Sequence, residues 1–324
     1  MSEAAGLVGD IGGTHARFAL VDAGKGGPAI RQPKAYNNTD YPSAEAAIEA
    51  YLAEMDGGRR PASVVLAVAG PVTDGAIHFT NSSWELSEAK LRRDAGFKSA
   101  RLINDFVAQA LGAPRLAGEG VKRVGPAVDG LKGGTLAVMG PGTGFGLSAL
   151  AREGGREMAL ATEGGHAGFV PTDEVEIGIW RWLAQRHGRV SIERILSGGG
   201  LHELYQALAE IGGVTAVCAD GQAVQAAAEA GDAFAASVID RFCRILGSTA
   251  GDIALSMGAR GGVYVTGGVA VGLADQIASG GFRERFEAKG RFQAYMSAIP
   301  TFVILEPYTA LIGGASLVGA PQTA

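Results

Sequence analysis

Leu7-Val-Gly-Asp-Ile-Gly-Gly-Thr-His-Ala-Arg-Phe-Ala-Leu-Val21 places a glycine-rich turn between two short apolar runs. The spacing predicts a strand over 7–10, a tight turn at Gly12-Gly13-Thr14 and a returning strand over 17–21. A Rossmann fingerprint needs a helix after the glycines and a Walker A loop needs Gly-Lys-Ser/Thr; neither is present, so the stretch reads as a β-hairpin. The same plan recurs at residues 135–139, Gly140-Pro-Gly-Thr-Gly144 and residues 145–151. Two hairpins of one design imply an internal structural duplication without a sequence repeat. The expected fold is α/β, with two lobes of common ancestry facing a cleft.

Working outward, a helix is expected from Pro42 to about residue 55, then an apolar strand over 63–69 ending at Gly70-Pro71. A helix over 87–95 with Ser87 as N-cap comes next, then a short strand over 101–103 that leaves Asn104 and Asp105 at its end. After a helix over 106–112, a loop rich in glycine and proline around 113–134 marks the domain boundary. Beyond residue 151 the chain reads as mostly helix, at 174–187, 200–210, 219–229 and 232–257. A buried strand over 262–266, a last strand over 300–305 and a terminal helix over 309–317 complete it. At 324 residues the chain exceeds what one core usually supports,. Residues 1–115 are expected to form a smaller N-terminal α/β lobe with the 307–324 segment packing back on it, and residues 116–306 a larger one.

Composition removes several classes of function. No stretch approaches the roughly 20 uncharged apolar residues of a membrane span, and Met-Ser-Glu-Ala-Ala lacks the basic start of a signal peptide. A cytoplasmic protein without membrane contact is expected. The net charge of −5 comes from 33 acidic and 28 basic residues without a long basic run, which argues against nucleic acid as a partner,. Cys218 and Cys243 are too few for a zinc cluster or a disulfide framework,. The 51 glycines, many at the ends of apolar runs, suggest loops wrapped around a ligand,.

Four constellations carry chemistry. In Gly9-Asp10-Ile11-Gly12-Gly13-Thr14, backbone N–H groups and the Thr14 hydroxyl can approach phosphate oxygens while Asp10 holds a hydrated Mg²⁺; a hairpin with glycines for turn geometry alone is the competing reading. Gly140, Gly142, Thr143 and Gly144 repeat the device, and two such turns could grip a polyphosphate. Gly267-Gly268, after Val263-Tyr-Val-Thr266, gives a third point of backbone access, for a flat adenine or merely a strand-to-helix turn. Asn104-Asp105 sits at a strand end, where a carboxylate could take the proton of an attacking hydroxyl; Asp105 as a simple helix N-cap is the alternative. Glu163, His166 and Glu193, with the Asn104 amide, are donors and acceptors suited to sugar hydroxyls, and a metal site is the weaker rival because the spacing matches no ligand motif.

Taken together, Val8-Gly-Asp-Ile-Gly-Gly-Thr14, Phe79-Thr-Asn-Ser-Ser-Trp84, Ile103-Asn-Asp-Phe106, Gly142-Thr-Gly144, Glu163-Gly-Gly-His166, Glu193-Arg-Ile-Leu-Ser-Gly198, Thr266-Gly-Gly268 and Lys289-Gly-Arg-Phe292 resemble the bacterial glucokinase family of the hexokinase and actin superfamily. The segments keep that family's order and span nearly the whole chain. The resemblance implies two actin-like (ribonuclease H-like) lobes with mixed sheets, and transfer of a phosphoryl group from ATP to glucose, feeding glycolysis. It implies Asp105 as catalytic base; Asn104, Asp105, Glu163, His166 and Glu193 on glucose; and Gly9, Asp10, Ile11, Gly12, Gly13, Thr14, Gly140, Gly142, Thr143, Gly144, Gly267 and Gly268 around Mg-ATP, with Asp10 reaching Mg²⁺ through water. A homodimer is also implied. Kinases of other hexoses and non-kinase actin-like ATPases share the frame. Where the family often has Pro-Gly before Glu-Gly-Gly-His and Ser-Gly-Pro-Gly later, this chain has Ala161-Thr162 and Ser197-Gly-Gly-Gly200, which is expected to alter loop stiffness,. The cysteine-rich zinc motif of the related ROK kinases is absent from the sequence.

Overall fold

The computed structural model describes residues 5–24, 27–56, 59–78 and 84–320. Residues 79–83 of the segment ending at Trp84 lie outside the described residues, as do residues 321–324.

The first hairpin is β1 (Gly6–Ile11) and β2 (His15–Gly24), extended by β3 (Gly27–Asn37). After α1 (Ala44–Asp56) come β4 (Ser63–Val68), a ribbon of β5 (Ala76–His78) and β6 (Glu85–Ser87), and α2 (Glu88–Arg93). The Ser87 hydroxyl accepts the Lys90 N–H at 3.1 Å, as the capping pattern requires,. β7 (Ser99–Asn104) runs directly into α3 (Asp105–Gly112). Residues 113–134 are more than a loop, since β8 (Val121–Val124) lies among them. Its Val-Lys-Arg-Val sequence is short and half charged, and pairing rather than alternation makes it a strand. The second hairpin is β9 (Leu136–Pro141) and β10 (Phe145–Glu153), followed by β11 (Arg156–Thr162), a strand in the region read as helical.

The helices that come after it are α4 (Glu174–His187), α5 (Ile192–Ile195), α6 (Gly198–Gly212), α7 (Gly221–Glu229) and α8 (Ala233–Met257). Asp232 starts α8 by accepting the Ala235 N–H at 2.8 Å, and Gly258 ends it at φ +60°,. β12 (Gly262–Val265) leads to α9 (Gly268–Gly272), α10 (Ala274–Ser279), α11 (Phe282–Glu287) and α12 (Gln293–Ser297). β13 (Thr301–Ile304) and α13 (Thr309–Ala315) close the chain's regular structure.

The chain divides into two compact units: residues up to Ala117 with those from Glu306 onward, and Gly118–Leu305. The first is a five-stranded sheet of order β3-β2-β1-β4-β7, in which β1, β4 and β7 are parallel and β2 and β3 antiparallel. Leu7, Ile11, Phe18, Ile48, Tyr51 and Leu66 are fully buried in its core. α13 packs on α3 at backbone distance, because both helices present glycine there: a Cβ on Gly313 would stand 1.9 Å from the Ala108 carbonyl oxygen.

The second unit is a six-stranded sheet of order β11-β10-β9-β12-β13-β8. β9, β12 and β13 are parallel; β10, β11 and β8 are antiparallel to their neighbours. Five of these strands repeat the order and sense of the first sheet, which is the duplication expected from the two hairpins; β8 is the addition. Its core gathers on α8, where Phe242, Ile245 and Leu246 are fully buried. A buried carboxylate ties three helices together: Glu176 of α4 accepts from Arg241 of α8 at 3.2 Å, from Arg285 of α11 and from Thr172. An ion buried in this way is tolerable only because its charge and lone pairs are satisfied. Cys243 is buried, which pushes its thiol up to about 12 and keeps it protonated,. Among the described residues no helix is long and apolar enough to cross a membrane.

Candidate functional site

In the first unit, strand register aligns the predicted groups. Ile11 pairs with Val68, and Val68 with Asn104, so the ends of β1, β4 and β7 form one row across three parallel strands. The glycine turn therefore leaves one end of that row and Asp105 extends the other, about 10 Å away by two strand spacings. Active-site groups of α/β proteins gather at such carboxyl ends.

The turn has an anchor that the sequence reading missed. Asn38 donates its side-chain amide to the Gly12 carbonyl at 2.8 Å and its backbone N–H to Thr14 O at 2.9 Å. Gly13 and Thr14 are exposed above this clamp. No spacing rule links Asn38 to Gly12; the link exists because β3, itself unread, returns the chain to the hairpin. Asp10 lies 3.4 Å from Arg17 on the paired strand. Burial raises the Asp10 carboxyl above the ordinary aspartate value, and the Arg17 guanidinium pulls against that rise without cancelling it,. The oxygen atoms at this corner include the Asp10 carboxylate and the buried Asn38 Oδ1, which has no partner among the described residues. Oxygen donors suit Mg²⁺, which keeps several waters and needs only one or two carboxylates beside phosphate oxygens. No group of three or more His, Cys, Asp or Glu among the described residues forms a cage for a metal.

Asn104, not Asp105, is the N-cap of α3. Its Oδ1 accepts the N–H groups of Phe106 at 2.9 Å and Val107 at 3.2 Å, and its Nδ2 donates to the Gly70 carbonyl at 3.3 Å. The cap shares the Phe106 N–H with Asp105, the half-buried first residue of the helix, whose Oδ1 also accepts it at 2.9 Å. It also restricts what Asn104 can offer a ligand to its second amide hydrogen.

In the second unit the turn and the polar set converge. Near the end of β9, Gly140 packs against the residue after β12 so closely that a Cβ would stand 1.7 Å from the Thr266 carbonyl oxygen. Gly267, at φ +96°, then turns the chain into α9, which brings Gly267-Gly268 beside the Gly140–Gly144 turn. Glu193 reaches the same turn: its Oε2 accepts the Phe145 N–H at 2.9 Å. Its Oε1 lies 3.8 Å from His166 Nδ1. These two residues meet because the backbone pairs between them, with Ile192 N–H on Ala167 O at 2.9 Å and Phe169 N–H on Val190 O at 3.0 Å. Glu163 is exposed at the start of the short 3₁₀ turn Gly164–His166.

The segments at Ala161-Thr162 and Ser197-Gly-Gly-Gly200 are each tied by side-chain hydrogen bonds. Thr162 Oγ1 donates to Leu147 O at 2.8 Å and accepts Gly164 N–H at 3.3 Å. Ser197 caps α6 by accepting Gly200 N–H at 3.0 Å, and Gly198 N–H bonds Gly142 O at 2.9 Å. Lys289 has a structural role: its ammonium bonds the Ser248 carbonyl at 2.9 Å and Asp252 at 2.6 Å, both on α8.

The family model described as Glucokinase matches residues 7–320. A glucokinase of Caulobacter sp. (strain K31) is 53% identical over 310 residues, covering 96% of this chain and 94% of that relative. One of Marinobacter nauticus is 43% identical over 316 residues, covering 97% of each. The crystal structure of a glucokinase from an Antarctic psychrotroph superposes with a TM-score of 0.88 at 34% identity, covering 98% of this chain and 99% of that one. The actin-like sugar-kinase fold follows from the structural likeness, and similarity that runs unbroken through both units carries the stronger conclusion: the chain belongs to the glucokinase family.

Proposed function

We propose that this member of the glucokinase family transfers the γ-phosphoryl group of ATP to the 6-hydroxyl of glucose, with Asp105 as general base. The observation that supports the proposal is the row Ile11–Val68–Asn104, which puts the glycine turn and the Asp105 carboxylate at the same end of one sheet. Asp105 takes the proton from the 6-hydroxyl as its oxygen bonds the γ-phosphorus, and the bond from that phosphorus to the departing ADP oxygen breaks in line. Backbone N–H groups of the Gly12–Thr14 and Gly140–Gly144 turns bind the phosphate oxygens, and Gly267-Gly268 lies by the adenosine. Glu163, His166 and Glu193 bind the sugar hydroxyls, joined by the second amide hydrogen of Asn104. Asp10 would hold Mg²⁺ through water, and the ion would neutralise phosphate charge. The resemblance further supports a homodimer working in the cytoplasm.

A coupled assay for ADP release with Mg-ATP against glucose, mannose, fructose, N-acetylglucosamine and no sugar tests this. Turnover that requires glucose is expected. Preference for another hexose would overturn the substrate, and sugar-independent hydrolysis would overturn the kinase reading.

A further inference from the structure

We infer that the phosphate turn of the second unit and the sugar-binding set are one mechanical element joined at Glu193, so that Gly144 and the Phe145 amide set the affinity for sugar. The inference rests on the reading of Glu193 and His166 as sugar contacts, and goes beyond it by giving positioning roles to residues on the nucleotide side.

The two oxygens of the Glu193 carboxylate are divided between the two tasks. Oε2 is held by the Phe145 N–H at 2.9 Å, while Oε1 points toward His166 at 3.8 Å. The side chain is 35% exposed, so the bond to a backbone amide, rather than burial, fixes its rotamer. That bond exists only because residue 144 has no side chain: a Cβ there would stand 2.3 Å from Oε2 and 3.2 Å from the carboxyl carbon. Gly144 has no left-handed backbone, so the close approach to Glu193 is its specific requirement. Gly142 in the same turn is different, since its Cβ would meet nothing within 4 Å. A second tie, Gly198 N–H to Gly142 O at 2.9 Å, links the turn to the segment just beyond Glu193. A carboxylate held in its binding rotamer loses less freedom when sugar arrives, which strengthens binding. By linkage, whatever shifts the turn on the nucleotide side shifts sugar affinity equally, and the reverse.

The experiment is calorimetric titration of glucose into the full chain without nucleotide, for the wild type, Gly144→Ala and Gly199→Ala. Displacing the carboxylate with Gly144→Ala is expected to weaken glucose binding about tenfold or more, the loss typical of a hydrogen bond to a charged group. Gly199→Ala, outside the proposed binding groups and with open space at its Cβ, should leave glucose affinity within about twofold,. Equal affinities for wild type and Gly144→Ala, or equal losses in both variants, would overturn the inference alone. Wild-type protein that takes up no glucose would overturn the sugar reading and this inference with it. Should Gly144→Ala fail to fold, nucleotide binding without sugar gives the second measurement. Glu193→Gln keeps an acceptor for the Phe145 amide and should retain nucleotide affinity, whereas Glu193→Ala should lose several-fold; equal affinities in the two variants would overturn the coupling.

Discussion

The two glycine hairpins occupy the same place in sheets of the same strand order, yet different chemistry anchors them. The Gly12–Thr14 turn is clamped from both sides by Asn38, a neutral residue just beyond the end of β3. The Gly140–Gly144 turn is held by Glu193, a carboxylate from a helix, and by the Gly198 amide. The ends of the parallel strands differ too. β7 ends in the cap Asn104 and is followed by Asp105, whereas β12 is followed by Thr266 and two glycines. A duplicated frame thus offers two equivalent strand-end positions, and each copy has filled them with different groups: an asparagine and an aspartate in one, two glycines in the other.

The largest expected effect comes from making the two turns alike in bulk. Gly140→Ala drives a methyl into the Thr266 carbonyl and should destabilise the second unit by about 3 kcal/mol,. Gly12→Ala, whose Cβ would meet only the His15 carbonyl at 3.7 Å, should cost far less. Urea unfolding followed by tryptophan fluorescence distinguishes them, because Trp180 and Trp182 report on the second unit and Trp84 on the first. Similar losses for both variants would break the comparison.

Removing the neutral anchor should affect only the nucleotide. Asn38→Ala deletes one hydrogen bond of about 1 kcal/mol, so KM for ATP should rise about fivefold with glucose affinity unchanged,. A matching loss of glucose affinity would mean that the first turn is coupled to sugar as well.

Much of this frame was legible in the sequence, and what was hidden has a physical cause. Both hairpins, α1, α4, α8 and β12 show regular apolar spacing with caps or glycines at their ends. Of the strands that escaped notice, β5 and β6 form a short separate ribbon, and β3, β8 and β11 lie at the edges of their sheets. An edge strand bonds on one side only, so β3 can hold Pro28 and Pro33 and β11 can leave Met158 and Leu160 exposed, erasing the alternation that marks a strand,. The same blindness hid Asn38, whose function depends on β3. Candidate site residues were legible as motifs, but their partners were not. Nothing in the spacing of Gly144 and Glu193 indicates that one leaves room for the other.

A subtler contrast lies in charge. In the folded chain burial raises the Asp10 pKa above its unfolded value, so the folded state binds more protons between those two values and stability falls as pH rises through that interval,. Below the ordinary value of 3.8 the carboxyl is neutral in both states and the effect vanishes. Asp10→Asn should therefore raise the melting temperature at neutral pH and leave it unchanged in acid. It should also reduce the stabilisation that Mg-ATP gives the wild type. A lower melting temperature at neutral pH would show that the Arg17 contact outweighs burial.

The smallest effect tests loop stiffness in the second unit. Gly199 lies in the first turn of α6 with open space around its Cα, so Gly199→Ala should stabilise by about 0.5–1 kcal/mol in denaturant titration,.

The most direct test of the whole account is Asp105→Asn, assayed for phosphoryl transfer and for glucose binding on the same preparation. The account predicts a fall in kcat of about 10²–10⁴-fold, while glucose still binds with an affinity within about tenfold of wild type. Unchanged turnover would contradict the assignment of the base, and with it the role given to the row of strand ends that positions it.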